Sequence, residues 1–457
     1  MVNLLDVADR LLSGPKVPSD QWDMGLFREI SRLVKKYEIK YPGDGSHFNF
    51  DEKMPKRLLE AGIEFLVNRG VYCVTTNRVI QFSEQEVRDA CWTAPRELVV
   101  GEGRDARLLK QRQEDGKDPL NLMPGLNSPF DEDLGLLVVK NEALNQAADY
   151  IGGFNPRQVE GREIYGVAME IYATKRVVAA QREGVRRAGR PGMAISYYPL
   201  GTRPEVVISA VDPDNGLRRT DGLQLTVMPD VKIEQSLVSA AVFYEEYGSF
   251  RMNTGARGLI GGFCGGVEGA AVEGVARTLG GVLTYHNNLV CTGVDGLLKN
   301  DKTMTQKPEY FWGTSLANQA FNRYSSLISF NSGGGMSGPG TEEHLLDQAL
   351  IAVRCAINGT NLFLPRQSIA QRNSANTPME GRWLFEVSRA TQKAGLTRAT
   401  ADPVMREIAD RLKGRPIQPA KHINECWDLV HSQPTPAYRE LYLRTKGLLA
   451  SFGLEFD

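Results

Sequence analysis

The feature that most constrains the fold is a long alternation of short apolar runs with helix-period segments, which extends from about Leu98 to about residue 400. Such an alternation is typical of parallel β-strands joined by crossover helices. The apolar runs, which are the predicted strands, are ELVVGEG, LGLLVVK, GMAIS, EVVISAV, GLIGGF, SLISFNSGGG and NLFLP. Six or seven alternations over about 300 residues fit a (β/α)8 TIM-type barrel better than an open doubly wound sheet.

The chain on either side of this alternation is predicted to be mainly helical. Before it, Asp51 caps a helix that Gly70 ends, VYCVTTNRVIQF forms a hairpin, and Ser83 and Glu86 form a capping box. After it, the last sixty or so residues read as helices with several prolines. We therefore predict an α/β protein with an N-terminal helical and hairpin extension at 1–97, the barrel at 98–400, and a C-terminal helical segment packed on the barrel at 401–457.

Composition excludes several functional classes. With 54 basic and 55 acidic residues the net charge is about -1, which gives no electrostatic footprint for nucleic acid or an anionic membrane. Six scattered cysteines without CxxC spacing are typical of free thiols, and five histidines make a dedicated metal cage unexpected, so we predict no metal site. The longest apolar tract, 258–284, contains Glu268, Glu273 and Arg277 and cannot span a membrane. We predict a cytoplasmic protein.

Chemistry in a barrel belongs at the carboxyl ends of the strands and in the loops that follow them. The unusual residues lie at these places: Ser196, Tyr197 and Tyr198 after GMAI, GGFCGG at 261–266, and NSGGGMSGPG at 331–340. The glycine runs lack a P-loop or dinucleotide-binding pattern, which disfavours a phosphate site. Glycines at several mouths of one barrel permit a wide, backbone-lined opening that suits a large flat partner.

Several candidate residues keep two interpretations. Ser196 is either a site residue or a strand-end serine that bonds its own loop. His286 in YHNN is either a proton carrier or a solvated loop histidine. Tyr197, Tyr198 and Phe330 form either an aromatic wall for a cation or ordinary packing. Thr341, followed by two glutamates, indicates a helix cap.

Seven collinear motifs together resemble one family. They are GRDA at 103–106, AGRPGM at 188–193, GGFCGGVE at 261–268, GPGTE at 338–342, EVSRAT at 386–391, ECWD at 425–428 and GLEF at 453–456. Their order and spacing resemble those of the methanogen monomethylamine:corrinoid methyltransferase family from about residue 20 to the C-terminus, with a small insertion between 285 and 312.

The resemblance implies a TIM-type barrel, a homo-oligomer and a methyl transfer from a small methylated amine to Co(I). It implies that the corrinoid (cobalamin) is carried by a separate small corrinoid protein that docks at the barrel mouth, with no cofactor bound by this chain itself. The residues that would face the corrinoid are those of two glycine-rich motifs: Gly262, Gly265, Gly266, Glu268, Gly338 and Thr341.

The resemblance also contains a departure. The family has pyrrolysine after AGRPGMGV, and the corresponding residue here is Ser196. Counting from the nearest motifs, the family's glutamate and glutamine around the pyrrolysine ring fall on Gly255 and Ser332, and a second glutamate falls on Gln224. These changes imply a rebuilt pocket in which Ser196, Gln224 and Ser332 are catalytic. The predicted substrate-binding residues are Tyr197, Tyr198, Gly255, His286, Phe330 and Asn331.

A rebuilt pocket without pyrrolysine favours a quaternary ammonium methyl donor over monomethylamine. Two alternatives remain open at the level of sequence. One is a barrel enzyme of lyase or hydrolase type that uses His286 and Gln224 without corrinoid, and the other is a non-catalytic binding homologue.

Overall fold

The structure of the protein is a computed structural model that describes residues 2–125, 129–255, 257–296, 306–331, 334–363, 366–367 and 372–457. Its chain divides into two units. Unit 1 comprises Met1–Leu98, Lys110–Gln113 and Leu223–Asn331, and unit 2 comprises Val99–Leu109, Glu114–Gly222 and Ser332–Asp457. The three-part division at 97 and 400 stays a prediction, and the units cut the chain differently.

Short strands alternate with long helices over most of the chain. In chain order the elements are α1 (Leu4–Ser13), α2 (Ser19–Lys36), α3 (Met54–Arg69), β1 (Val71–Cys73), β2 (Arg78–Ile80), α4 (Glu84–Ala90), β3 (Glu97–Val100), β4 (Arg107–Lys110), β5 (Leu122–Met123), α5 (Glu132–Ala143), β6 (Gln158–Val159), β7 (Arg162–Glu163), α6 (Val167–Arg187), β8 (Ser196–Tyr197), α7 (Pro204–Ile208), β9 (Gly222–Leu225), β10 (Lys232–Ile233), α8 (Gln235–Tyr247), β11 (Phe250–Asn253), β12 (Gly258–Ile260), α9 (Val267–Tyr285), β13 (Leu289–Cys291), β14 (Val294–Gly296), α10 (Pro308–Tyr324), β15 (Ile328–Asn331), β16 (Gly334–Gly335), α11 (Glu342–Ile357), β17 (Asn361–Phe363), β18 (Arg366–Gln367), α12 (Pro378–Lys393), α13 (Arg398–Leu412), α14 (Ile423–Cys426), β19 (Trp427–Asp428), β20 (Gln433–Pro434) and α15 (Pro436–Ser451).

Unit 1 contains consecutive strands in the order β9, β11, β13 and β15. β13 pairs in parallel with β11 and with β15, so that Cys291 lies opposite Phe330. The connecting helix α9 is buried along almost its whole length, packed by α3 and α10. The N-terminal hairpin of β1 and β2 joins this unit through a parallel pairing of β1 with β10.

Unit 2 contains the remaining core strands. β17 pairs in parallel with β5, and the Asp149 amide donates to the Leu122 carbonyl, which brings 149–152 beside β5. Ile151 in turn forms a parallel bridge with Ile195, one residue before β8. Helices α11 and α12 pack against each other, and α13 and α15 from the C-terminal segment pack on α11.

The local signals of the sequence are confirmed where capping chemistry specifies them. Asp51 accepts from the amides at the start of α3, Gly70 ends that helix with a positive φ of 74°, and Ser83 and Glu86 form the capping box of α4. Thr341 caps α11. The helix-period segments that alternate with the apolar runs are present as the long helices α6, α8, α9, α10, α11 and α12.

Two predicted strands are wrong. LGLLVVK lies in α5, where the buried residues Gly135, Val138, Val139 and Glu142 follow helical spacing and Glu132 and Asp133 occupy the first turn. The first four residues of EVVISAV lie in α7, because Pro204 at the start of that helix favours helix initiation. Conversely, β9, β11 and β13 were not predicted, since each has only three or four residues and most contain a polar side chain.

The described residues include no helix that is long and apolar enough to cross a membrane. They also contain no group of three or more histidine, cysteine, aspartate or glutamate side chains that could hold a metal ion. All six cysteines are buried and free, as predicted.

Candidate functional site

Ser196 lies in the buried strand β8 of unit 2. Its amide donates to the Ile151 carbonyl at 2.8 Å, and the residues before it, Met193 to Ile195, are buried. The Ser196 side chain has no solvent exposure. The strand continues one residue beyond the position at which the sequence predicted its end. Because side chains alternate across a strand, Ser196 and Tyr197 point to opposite faces of β8, and Tyr198 follows the strand.

The two tyrosines after Ser196 have different environments. Tyr197 is buried, with its hydroxyl 3.2 Å from Thr174 Oγ1 of α6 and accepting from the Leu200 amide. Burial raises the pKa of Tyr197 to about 12, which keeps the phenol neutral. Tyr198 is 45% exposed. The structure therefore places Tyr197 against a helix and makes Tyr198 the ring that a ligand can reach.

A buried ion pair supports the strand that carries Ser196. The Asp221 carboxylate accepts from the Ile195 amide at 2.8 Å and pairs with Arg182, and both side chains are 1% exposed. Arg182 also donates to the Met193 carbonyl at 3.1 Å. Sequence reasoning missed this pair, because an arginine and an aspartate separated by 39 residues form no local pattern.

Two of the family-like motifs hold the turn before the same strand. Asp105 of GRDA accepts from the Gly192 amide at 3.0 Å, and Arg104 donates to the Gly189 carbonyl at 2.6 Å. A Cβ at Gly192 would lie 2.2 Å from the Glu102 carbonyl oxygen, so this close approach requires glycine. The motifs GRDA and AGRPGM thus bind each other and together hold the turn before β8.

The predicted residues of unit 1 lie at the ends of β9, β11 and β15. Gln224 and Phe330 are buried within strands, and Asn331 donates to the Thr292 carbonyl at 2.6 Å. A Cβ on Gly255 would lie 2.4 Å from Thr226 Cγ2 and 2.8 Å from the Val227 carbonyl oxygen. A side chain would therefore not fit at Gly255 without local rearrangement.

His286 lies elsewhere than predicted. It follows α9 in the left-handed region, with φ of 48°, and precedes the amino end of β13. Its Nδ1 is 2.6 Å from a Glu245 carboxylate oxygen, its Nε2 is 2.8 Å from the Val2 carbonyl oxygen, and it is 8% exposed. The interpretation of His286 as a solvated loop histidine is therefore wrong. Both ring nitrogens are occupied at the strand end opposite the one where chemistry is expected.

The glycine-rich loop of unit 1 is open to solvent in part. Gly262 and Gly265 are half-buried and Gly266 is exposed, while Phe263 between them is 46% exposed. Gly265 has φ of 82° and open space where a side chain would be. Glu268, at the first turn of α9, accepts from the Tyr41 amide at 3.1 Å. This loop fits the predicted approach of a large flat partner.

The second glycine-rich segment, in unit 2, is hydrogen-bonded to α11 and packs against the C-terminal segment. Asp347 accepts from the Met336 amide at 2.7 Å, and His344 Nδ1 lies 3.0 Å from the Ser337 carbonyl oxygen. A Cβ on Gly338 would lie 2.2 Å from Ala420, and Thr341 donates to the Gly338 carbonyl at 2.7 Å. Gly338 is thus buried against the C-terminal segment. Ser332, a predicted catalytic residue, lies outside the described residues.

Comparisons with known proteins agree over the full length of the chain. A family model described as "Monomethylamine methyltransferase MtmB" matches residues 2–454. Monomethylamine methyltransferase MtmB2 of Methanosarcina acetivorans is 27% identical, with 99% of this chain and 98% of that protein covered. MtmB1 of Methanosarcina barkeri is 26% identical, with the same coverage.

Solved structures support the same relationship. The crystal structure of the Methanosarcina barkeri monomethylamine methyltransferase has a TM-score of 0.90 and is 25% identical, covering 99% of this chain and 98% of its own. The hydroxylamine complex of MtmB has a TM-score of 0.91 at the same identity and coverage. The predicted α/β fold of the TIM-barrel type is confirmed.

Proposed function

We propose that this chain, which belongs to the monomethylamine methyltransferase MtmB family, moves a methyl group from a quaternary ammonium compound to the Co(I) of a separate corrinoid protein. The methyltransferase activity and the transfer of methyl to a corrinoid on a partner protein follow from family membership. The choice of a quaternary donor over monomethylamine is the part that we propose.

The observation that carries this proposal is the serine at position 196. The resemblance places pyrrolysine at this position in the family, where its imine would hold and orient the amine. Ser196 is buried in β8 and offers only a hydroxyl group, which cannot form such an adduct. The half-buried Gly255 offers no carboxylate either, and a side chain there would clash with Thr226 and with the Val227 carbonyl oxygen unless the backbone moved.

The chemistry of the leaving group selects the donor. Attack by Co(I) on a methyl carbon displaces nitrogen, and the nitrogen must leave as a stable neutral amine. Displacement from neutral methylamine would have to expel the amide ion, a very poor leaving group, whereas a quaternary ammonium compound releases a neutral tertiary amine without covalent assistance. No general base is required. Positioning and water exclusion alone can contribute about 7–11 kcal/mol to such a step.

The residues of each unit have assigned roles in this proposal. In unit 2, the exposed ring of Tyr198 contacts the cation, and Ser196 holds a polar tail together with Ser332. Polar contacts to the substrate from Gln224 and Asn331 of unit 1 stay predictions from the sequence. Tyr197 and His286 have no role in binding, because their polar atoms are bonded to Thr174, and to Glu245 and Val2, respectively.

We assign the contact with the corrinoid partner to a glycine-rich loop of this chain. The corrinoid supplies the nucleophilic cobalt when the partner is bound. On this chain, the half-open loop with Gly262, Gly265 and Gly266 would permit close contact with a flat macrocycle, while Gly338 and Thr341 support their own segment. A cytoplasmic location and assembly as a homo-oligomer also belong to this proposal.

An optical assay tests the proposed donor. The protein is mixed with its reduced corrinoid partner, and methyl-Co(III) formation is followed with mono-, di- and trimethylamine and with a panel of quaternary ammonium compounds. We expect methyl-Co(III) only with a quaternary compound. Methylation from monomethylamine would contradict the leaving-group reasoning, and no methylation from any donor, with an active partner, would favour a function without corrinoid.

A further inference from the structure

A hairpin that follows the 149–152 segment in the chain has no role in the proposed function so far. β6 and β7 pair in antiparallel register, with Gln158 opposite Glu163, around a turn at Glu160 and Gly161 where both residues have positive φ. Such a two-residue turn fits the twist of a tight hairpin. Tyr165 lies two residues after β7, and its side chain is 88% exposed, the highest value among the described large hydrophobic residues.

The hairpin is braced on the body of unit 2. The Glu160 amide donates to a Glu132 carboxylate oxygen at 2.7 Å, and the Tyr172 hydroxyl donates to Glu160 at 2.8 Å. Arg176 of α6 bridges Glu132 at 3.0 Å and Glu160 at 3.2 Å. Tyr165 is therefore presented to solvent by a supported element, which lowers the entropy cost of binding a partner there.

The hairpin borders an open cleft of about 700 Å³, here called the hairpin cleft. Its lining comes from Phe130, Asp131, Glu132, Arg157, Gln158, Gly161, Glu163, Ile164, Tyr165 and Asn373. These residues belong to the loops after β5, after the 149–152 segment and after β17, which are neighbouring parallel strands. Parallel neighbours end at one edge, so the cleft lies at the edge where β8 also ends.

We infer that the hairpin cleft, with Tyr165 as its anchor, is a docking site for the protein part of the corrinoid partner. This inference rests on the proposed function, since a methyl transfer at Ser196 requires the partner to approach that same edge. An exposed tyrosine on a rigid support beside a polar cleft is typical of an interface hot spot.

The chemistry of the cleft fits a polar protein surface. Carboxylates at Asp131, Glu132 and Glu163 accept hydrogen bonds, Arg157 donates them, and Gln158 and Asn373 do both. Mixed charge of this kind gives no attraction for an anionic membrane or for nucleic acid. It suits a partner that carries both donors and acceptors.

The test uses the full-length variants Tyr165→Ala and Tyr165→Phe, with Leu443→Ala as a control at a 56% exposed residue of α15. Binding of the corrinoid protein is measured by titration calorimetry without a methyl donor, and the KM for the corrinoid protein is measured with whichever donor is active. We expect Tyr165→Ala to raise the Kd and this KM about tenfold or more. The KM for the donor and kcat at saturating partner should stay unchanged, as should all values for Leu443→Ala and nearly all for Tyr165→Phe.

Unchanged partner affinity in Tyr165→Ala would overturn the inference. A loss of self-association in that variant, seen by light scattering with unchanged partner affinity, would also overturn it and assign the hairpin to contact between copies of this chain. If no quaternary donor is demethylated but the Kd still depends on Tyr165, the proposed donor fails while the docking site stands.

Discussion

At the scale of single residues, the face on which a side chain lies decides its role. Ser196, Tyr197 and Tyr198 are consecutive, yet Tyr197 bonds Thr174 on a helix and Tyr198 is open to solvent. Sequence alone left both tyrosines as candidates, because the phase of the strand was unknown. The structure shows Tyr197 buried and Tyr198 exposed, so we propose the cation contact for Tyr198 alone.

Ser196→Ala should weaken donor binding without abolishing turnover. Loss of one neutral hydrogen bond costs about 0.5–1.5 kcal/mol, which corresponds to a rise in KM of roughly two- to twelvefold. Steady-state kinetics with the active donor check this expectation. A fall of several orders of magnitude in kcat would show that Ser196 takes part in bond making, which the proposed displacement does not need.

Tyr198→Ala should raise the KM for a quaternary donor more than Tyr198→Phe does. The ring face contributes roughly 0.5–2 kcal/mol to a cation contact, which corresponds to about two- to thirtyfold in KM, and phenylalanine keeps most of it. Tyr197→Phe is the matched control, and it should lower stability slightly and leave KM unchanged. Equal KM values for Tyr198→Ala and the unaltered protein would remove Tyr198 from the site.

At the scale of elements, buried polar pairs fix the strand and loop that surround the site. β8 depends on Asp221, which accepts from the Ile195 amide and is neutralised by Arg182. The segment after β15 depends on Asp347 and His344 of α11. Neither arrangement has a sequence signature, because each joins residues through the fold and not through a periodic pattern.

Arg182→Met should destabilise the protein strongly. The change leaves the Asp221 carboxylate buried without its counter-charge, which costs about 3–5 kcal/mol. Arg187→Met provides the control, since Arg187 pairs with Glu183 on the exposed side of the same helix and such a pair contributes under about 0.5 kcal/mol. Urea unfolding of both variants measures the difference, and similar free energies of unfolding would refute the role of the buried pair.

His344 should make the protein less stable in mild acid. Burial lowers the pKa of His344 to about 4, below the value of about 6.5 for an unfolded histidine. Between these values the unfolded chain binds a proton that the folded chain does not, so the free energy of unfolding falls as pH falls through this window, by about 3 kcal/mol in total. His344→Gln should remove this part of the pH dependence. Parallel pH profiles for the two proteins would contradict it.

Prediction from sequence succeeded where local chemistry is decisive and failed where tertiary packing is. The caps at Asp51, Ser83 and Thr341 were predicted because the capping side chain and the backbone amides that donate to it are neighbours in sequence. LGLLVVK was misassigned because a short apolar run fits a buried strand and one face of a helix equally well. His286 was misplaced because loop residues before and after a strand look alike in sequence.

At the scale of the whole molecule, the chain keeps the family's architecture. A TM-score of 0.90 at 25% identity with the solved methyltransferase means that the barrel is retained while most side chains have changed. The motifs shared with the family, GRDA and AGRPGM, support the strand of Ser196. The changed residues Ser196, Gln224 and Gly255 lie where the resemblance places catalytic groups.

A single-turnover competition experiment tests whether the methyl donor is a quaternary ammonium compound or monomethylamine. The protein and its Co(I) corrinoid partner are mixed with equal concentrations of a quaternary ammonium compound and monomethylamine, and methyl-Co(III) and the released amines are quantified together. We expect one tertiary amine to be released for each methyl-Co(III) formed, and monomethylamine not to be consumed. Ammonia released in step with methyl-Co(III), and no tertiary amine, would show that monomethylamine is still the donor and that Ser196 has not changed the substrate.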